Sequence, residues 1–413
     1  MSRRLHGLLA NLSLLGGTLL VIALFAEFFF FRFIMVPDDV LPNVTANGVV
    51  RYAPNTVATF RHPDGSTSTA RINQQGWNST KAYYRASPPP GRVRIAVVGD
   101  SYVHGAFIDV EKGFPNLLEE TLNARSVQAV EVLRFGMDGA PLSQYLHMMR
   151  REVLAYRPDV IVVPLIHNDF DESFRFLKTR YASAFLKMRR EADGSVTEIA
   201  PAPFRPGLAD ALRQSAAFRF LYYETNLYLH LKSFVSRWFW GGDEVYEPEF
   251  ISSAVDIRKL GSKDDLAFYT LHIMQEMKTL AEKNGVRLLF VMDGVREAVY
   301  AGSTANDYAV GKLNRIAHNT AANLELPFVD LQTAFATHYA RHAKRFEFPF
   351  DWHWNELGNR IVADRIADAL MQDPAFLTPR SARLATAGAP SRAGRDVSGD
   401  AGAHRGSFAN PVN

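Results

Sequence analysis

The sequence predicts an α/β protein, a parallel sheet covered by helices on both faces, preceded by an apolar N-terminal segment. Three observations carry that expectation. Beyond Gly91, short apolar runs alternate with stretches of helical periodicity, the pattern of a parallel sheet with crossover helices. The runs end in small and polar residues, among them Gly-Asp-Ser at 99–101. Residues 7–31 are apolar except for Asn11, Ser13, Thr18 and Glu27.

Composition sets the outer limits. A chain of 413 residues, 47% of them hydrophobic, can bury one large core or two modest ones. Its 46 basic and 43 acidic residues leave a net charge of +3, which gives no electrostatic footprint for nucleic acid. The absence of cysteine excludes disulfides, thiolate metal sites and a cysteine nucleophile.

Taken in order, the first element is the apolar run at 7–31. As a helix rising about 1.5 Å per residue, it reaches across the roughly 30 Å of a bilayer's hydrocarbon core. A cleaved signal peptide has a shorter apolar region and ends in a small-x-small site. This run is longer, and aromatics follow Ala26 without such a site. An uncleaved single-pass anchor in a bacterial cytoplasmic membrane is therefore expected. Arg3 and Arg4 before the span put the N-terminus in the cytoplasm and the large domain on the periplasmic side. Glu27 falls near the far end, where a carboxylate can reach the headgroups.

Residues 37–90 break into short alternating pieces separated by Asn, Gly and Pro, a small β-rich collar or spacer that ends at "SPPPG". The main domain is expected over 91–375. Its strands are predicted at 94–98, 130–135, 159–165, 286–292 and 327–331, and its helices at 114–124, 142–156, 264–284, 307–324 and 356–371. Between the third and fourth strands lies an insertion, 170–260, too long for a plain connection. Its stretch 218–246 is dense in aromatics, which reads as a helical subdomain packed on the core. A lid, a sugar-stacking platform or a surface resting on the bilayer would be its functional counterparts. The tail, 380–413, is rich in Ala, Gly, Ser and Arg and reads as disordered. There is no internal repeat and no glycine fingerprint for a phosphate cofactor.

The strand ends carry the chemistry. The first ends in "GDS" with Ser101, the second in "RFGMDGAPLSQY" with Gly136 and Gly139, and the third in "PLIHNDFDES" with Asn168. Before the last helix comes "FPFDWHWNELGNR", with Asp351 and His353. All four blocks fall at the carboxyl edge of a parallel sheet, the usual place for reacting groups in open α/β folds. Acyl transfer by serine needs a nucleophile, a base, a group that orients the base, and donors aimed at the developing oxyanion. Ser101 can be the nucleophile, His353 the base and Asp351 the orienting carboxylate. The N–H groups of Ser101 and Gly139 and the side-chain amide of Asn168 can be the oxyanion donors. Gly136 is the rival to Gly139, which stands farther past the strand, where a turn can point its N–H into the site.

In these blocks the sequence resembles the SGNH (GDSL-type) hydrolase superfamily, named for its Ser, Gly, Asn and His blocks, over about 94–371 and interrupted by the insertion. The resemblance implies a flavodoxin-like three-layer αβα sandwich and ester hydrolysis or acyl transfer, often of acetyl groups on carbohydrate, with no metal or other cofactor. It implies Ser101 as nucleophile, Gly139 and Asn168 as oxyanion donors, and His353 as base. Two features depart from the common pattern. The acid usually stands three residues before the histidine, whereas Asp351 and His353 are two apart, similar to the "D-x-H-x-N" form of membrane-anchored, polysaccharide-modifying members. Tyr102 also replaces the leucine that often follows the serine, at a position that packs. The segment "ARINQQGWNS", 70–79, is similar to the collar that precedes the serine block in anchored members.

Other residue types near the blocks have plainer readings. Asp100 reads as a turn former. His167, Asp169 and Asp171 flank Asn168 but have no second cluster to complete a metal site. The leading expectation is a membrane-anchored serine esterase or O-acyltransferase on acyl esters of envelope or exported polysaccharide. Transfer, as opposed to hydrolysis, would need a membrane protein that supplies the acyl group. The alternatives are a glycan-binding or assembly protein without turnover, and a lipase-like enzyme on membrane lipid.

Overall fold

The computed structural model describes residues 2–175, 182–225, 250–251, 255–256 and 260–380. The tail beyond 380 and most of the aromatic stretch, 226–246, lie outside the described residues. Helix α1 (Ser2–Phe25) continues as a π-helical segment, Ala26–Ile34. Leu5–Ile34 is the one stretch among the described residues that is long and apolar enough to cross a membrane. Two antiparallel hairpins follow: β1 (Asn43–Ala46) with β2 (Val49–Tyr52), and β3 (Val57–Arg61) with β4 (Thr67–Arg71).

The α/β unit then runs β5 (Val93–Gly99), α2 (Ser101–His104), α3 (Phe114–Arg125), β6 (Val130–Gly136), α4 (Leu142–Arg151), β7 (Val160–Leu165) and α5 (Asp169–Glu172). The described part of the insertion contains a hairpin, β8 (Lys187–Arg190) with β9 (Val196–Ile199), short helices α6 (Leu208–Leu212) and α7 (Ala216–Arg219), and the two-residue pair β10 (Phe250–Ile251) and β11 (Val255–Asp256). It is thus not purely helical. An Asp-Gly turn closes the β8–β9 hairpin, with Gly194 at φ +86° and Asp193 accepting from the Ser195 N–H at 2.9 Å. The unit resumes with α8 (Lys263–Lys283), β12 (Arg287–Met292), α9 (Arg296–Ala301), α10 (Gly311–Asn323), β13 (Phe328–Asp330), α11 (Gln332–His342), the hairpin β14 (Glu347–Phe348) and β15 (Asp351–Trp354), and α12 (Glu356–Gln372).

The five-stranded sheet has the order β6-β5-β7-β12-β13, and every pairing in it is parallel. This is the flavodoxin-like order, with its switch point between β5 and β7. Every residue of β5 is buried, as a central strand covered on both faces requires. Val93, Ile95 and Val97 face one core with Leu118 of α3 and Ile366 of α12. Ala96 and Val98 face the other, with Leu146 of α4, Met274 of α8 and Ile316 of α10. The result is a three-layer αβα sandwich.

Two predicted helices are shorter than their periodicity suggested, each for a local reason. The run at 142–156 stops at Arg151 and continues only as a 3-10 turn, Val153–Tyr156, because Glu152 leaves helical geometry and turns to the collar. The run at 307–324 begins as a helix at Gly311, since Thr304 and Asp307 close a capping box around an earlier 3-10 turn.

The hairpins at 43–71 are bound tightly to the α/β unit. Arg51 of β2 makes a two-pronged ion pair with Glu152, at 2.8 and 2.7 Å, and both side chains are under 5% exposed. The guanidinium also lies over the buried Trp77 ring at 5.0 Å. At the other end, Glu27 does not point outward. Its carboxylate accepts from the N–H groups of Ala216 and Ala217, both at 3.0 Å, and from the Ser215 hydroxyl at 2.7 Å, so it caps α7. Phe31 packs on Phe220 with ring centroids 5.1 Å apart. A few residues later Asp39 Oδ2 accepts from the Thr59 N–H of β3 at 3.0 Å. Removing one partner of a buried ion pair leaves an uncompensated charge and costs about 3–5 kcal/mol. Glu152→Ala should therefore lower the unfolding free energy by about that amount in a urea titration, whereas Glu356→Ala, an exposed partner of Lys112, should change it by less than about 1 kcal/mol.

Candidate active site

Strand β5 ends at Gly99, and the chain turns at once into α2. Asp100 caps that helix, its Oδ1 accepting from the Tyr102 N–H at 2.9 Å. Ser101 is thereby the first helical residue, at the carboxyl edge of the sheet beside the switch point. The helix lies directly on the end of β6. A side chain on Gly136 would sit 2.1 Å from the His104 backbone nitrogen, so the position admits only glycine. Gly136 therefore has a packing role. Gly139 stands in the turn beyond it, closed by Ala140 N–H donating to the Met137 carbonyl at 3.0 Å. Its φ of +67° suits glycine, and nothing lies within 4 Å of where its Cβ would be.

The hairpin β14–β15 brings the histidine. His353 Nε2 lies 2.7 Å from Ser101 Oγ, a contact that spans 252 residues of sequence. On its other side, His353 Nδ1 hydrogen-bonds Asp351 Oδ1. The same oxygen accepts the His353 backbone N–H at 2.8 Å. The two-residue spacing thus has a local logic: an aspartate readily bonds the backbone two residues on, and that turn places its carboxylate against the imidazole. With Nδ1–H donating to Asp351, Nε2 is left to accept the Ser101 proton. The hairpin is held from behind. The Tyr102 ring packs against the His353 ring at 4.6 Å, and its hydroxyl donates to the Trp352 carbonyl at 2.7 Å. Arg296 donates to that hydroxyl at 3.1 Å, and the buried Trp354 donates to Asp293 at 3.1 Å. The two tryptophans differ, for Trp354 is 2% exposed and Trp352 42%.

Burial alone would disfavour a charged His353 ring, but the hydrogen bond and charge of Asp351, with the nearby Asp100 and Asp138, outweigh it and raise the pKa above its ordinary value. The Asp100 pKa is raised as well, but by burial, against the opposing Tyr102 N–H bond, so its neutral form is the one favoured. Asp100 Oδ2 lies 3.5 Å from Ser101 Oγ, at the edge of hydrogen-bond range.

The residues expected to bind an oxyanion make few contacts of their own. Neither the Ser101 N–H nor the Gly139 N–H donates to an acceptor among the described residues. Asn168, at the end of β7, makes no side-chain cap bond to α5, and its Oδ1 is buried with no partner among the described residues. The residues around it go elsewhere. His167 bonds Asn314 at 2.9 Å, Asp169 accepts from the Ile166 N–H at 2.8 Å, and Asp171 pairs with Arg175 at 2.5 Å. The hydrogen bonds from Tyr102 to the hairpin and from Arg296 to Tyr102 were not foreseen from the sequence. They join residues far apart in the chain, and no local pattern marks them.

Residues 250–405, less than half of the chain, match the family model described as "SGNH hydrolase-like domain, acetyltransferase AlgX". The chain carries an SGNH hydrolase-like domain. The matched stretch contains Asp351 and His353 but not Ser101, Gly139 or Asn168. No curated protein matches the chain. Among solved structures, similar ones include an acetyl xylan esterase, AlAXEase, at 16% identity and TM-score 0.38 over 67% of this chain and 100% of that one. Another is the lipase/acylhydrolase from Enterococcus faecalis, at 14% identity and TM-score 0.36 over 68% of this chain and 96% of that one. A third, a two-domain esterase active on acetylated mannans, has 11% identity and TM-score 0.38 over 75% of this chain and 53% of that one. These likenesses bear on neither substrate nor site.

The raised His353 pKa has a direct readout in the SGNH hydrolase-like domain. The imidazole should stay protonated above the ordinary midpoint of about 6.5 and lose its proton only at higher pH. Asp351→Asn removes the charge that favours the imidazolium and should bring the midpoint down. The ring-proton NMR shifts of His353 across pH 5–9 test this. A wild-type midpoint at or below that of the Asp351→Asn protein would contradict the electrostatic account.

Proposed function

We propose that this chain is a serine esterase or O-acyltransferase in which Ser101 is the nucleophile, His353 the general base and Asp351 the group that orients and supports it. The observation that supports this most strongly is the relay Ser101–His353–Asp351, with its 2.7 Å serine–imidazole contact beside the switch point of the sheet. As Ser101 Oγ attacks the ester carbonyl, its proton passes to His353 Nε2. The oxyanion that forms takes the N–H groups of Ser101 and Gly139 and the Asn168 amide. The imidazolium then gives its proton to the departing alkoxide, leaving an acyl-Ser101 ester. A water molecule or an acceptor hydroxyl, deprotonated by His353, removes the acyl group and restores the serine.

The matching family model is described as an acetyltransferase, which supports an acetyl ester as the substrate. The D-x-H-x-N form of the histidine block, similar to that of polysaccharide-modifying members, supports a polysaccharide acceptor or donor. The apolar helix Leu5–Ile34 and the arginines before it support a membrane anchor with the domain on the periplasmic side. The domain boundaries fit this reading: an anchor at 7–31, a collar over 37–90 and a catalytic unit over 91–375.

Fluorophosphonate labelling with identification of the modified residue tests the constellation. Ser101 should be the labelled serine, and Ser101→Ala should abolish turnover of a soluble acetyl ester with the fold intact. Turnover by the alanine variant at wild-type rates would remove Ser101 from the mechanism. Asn168→Ala should cost about a hundredfold to a thousandfold in kcat with little change in KM, since an oxyanion donor acts on charge that appears in the transition state. A raised KM at unchanged kcat would move Asn168 to substrate binding. For the location, protease added to spheroplasts should digest the domain while the apolar helix stays with the membrane. Protection of the domain would reverse the topology.

A further inference from the structure

The SGNH hydrolase-like domain has a second histidine–carboxylate pair beside the first, which the mechanism above does not use. His104, the last residue of α2, bonds Asp138 Oδ1 through Nδ1 at 2.7 Å. Asp138 immediately precedes Gly139. Over both lies Tyr52, which belongs to β2 of the collar. Its ring packs on the His104 ring at 4.5 Å, and its hydroxyl is 3.2 Å from His104 Nδ1. The Asp138 backbone N–H donates to that hydroxyl at 3.2 Å. Tyr52 and His104 are buried, whereas the Asp138 side chain is 39% exposed.

The backbone explains what such a clamp would control. Residues Met137–Ala140 form a β-turn in which the third residue, Gly139, has positive φ and Asp138 does not, the pattern of a type II turn. The central peptide of such a turn is here the one joining Asp138 to Gly139. That peptide carries the Gly139 N–H. The base of the turn is fixed by Met137 N–H to the Gly99 carbonyl at 3.1 Å and by the Ala140 bond. Among the described residues its apex has no backbone partner, so the bonds on Asp138 are what fix where the apex sits.

We propose that Tyr52, together with His104 and Asp138, is a positioning device that fixes Asp138 at the apex of this turn, and with it the place of the Gly139 N–H that follows, so that the collar completes the oxyanion site. This rests on the reading of Ser101 and Gly139 given above. The same bonds engage the Asp138 carboxylate, so its side chain is fixed together with its backbone. Burial raises the Asp138 pKa, but the His104 contact and the Tyr52 hydroxyl outweigh it, and the carboxyl is held below its usual range.

The test uses Tyr52→Phe in the full-length protein, which keeps the ring stacked on His104 and removes only the hydroxyl. Misplacing a catalytic group by about 1 Å can cost up to about a hundredfold, so kcat on a soluble acetyl ester should fall about tenfold to a hundredfold. KM should stay within about twofold, and fluorophosphonate should label Ser101 more slowly in proportion, since it too builds charge on an oxygen in that position. The pH midpoint of the remaining activity should not move, because the base is untouched. General damage to the fold would shift that midpoint or raise KM. A second pair serves if Tyr52→Phe folds poorly: Asp138→Asn, which keeps an acceptor for His104, should lose less activity than Asp138→Ala. Wild-type kcat and labelling rate in Tyr52→Phe, or equal activity in the two Asp138 variants, would overturn the clamp while leaving the serine mechanism standing. A wild-type protein that neither turns over the ester nor labels at Ser101 would overturn the mechanism itself, and the clamp with it.

Discussion

The closeness of α2 to the end of β6 is the constraint on which the rest of the site depends. A helix backbone packed where a Cβ would otherwise stand brings two neighbouring strand ends together with no side chain between them. Because α2 begins at Ser101 and ends at His104, one four-residue helix presents the hydroxyl at its start and the second histidine at its end. Both the candidate nucleophile and the turn that carries Gly139 are therefore referenced to one small rigid piece. Any bulk at Gly136 would lift the helix and move both.

Around that piece the charges are unevenly distributed. Asp351 is paired with an imidazole, and Asp138 is held by a tyrosine and a histidine. Asp100 is buried beside the serine with a backbone N–H as its main partner. Burial favours the neutral form of Asp100, while Asp351 and Asp138 stay engaged with their imidazoles. An imidazole facing this set gains a proton more readily than one in water, which suits a base that must accept a proton and later return it.

The main strands and their chemistry-bearing ends were legible in the sequence because both signals are local. Residues 95–98 are an uninterrupted apolar run, and Gly-Asp-Ser follows it directly. Glu356–Gln372 likewise shows its helical period and an Asn cap in sequence. What escaped depends on partners far away in the chain. Nothing near Glu152 announces that it will leave its helix for Arg51, 101 residues earlier. Tyr52 reads as an ordinary strand tyrosine until His104 and Asp138 are seen beneath it. Glu27 looked like a carboxylate bound for the headgroups because the helix it caps lies 189 residues on, in an insertion whose packing no periodicity reveals. Asp351 is the reverse case: its spacing departs from the common pattern, and the bond it makes to the backbone two residues on is a local one.

The cap that Glu27 provides for α7 has a mechanical consequence. Proteins carried on a single helix commonly hang from a slack leash and sweep the volume around their anchor. Here the last turns of the helical rod are fastened sideways to the insertion, and the next residues are zipped straight onto β3, so no length of free chain separates rod from body. A body fastened in this way cannot swing freely about the end of the helix. If that helix crosses a membrane, as proposed, the strand ends that carry Ser101 would lie at a set distance from its surface.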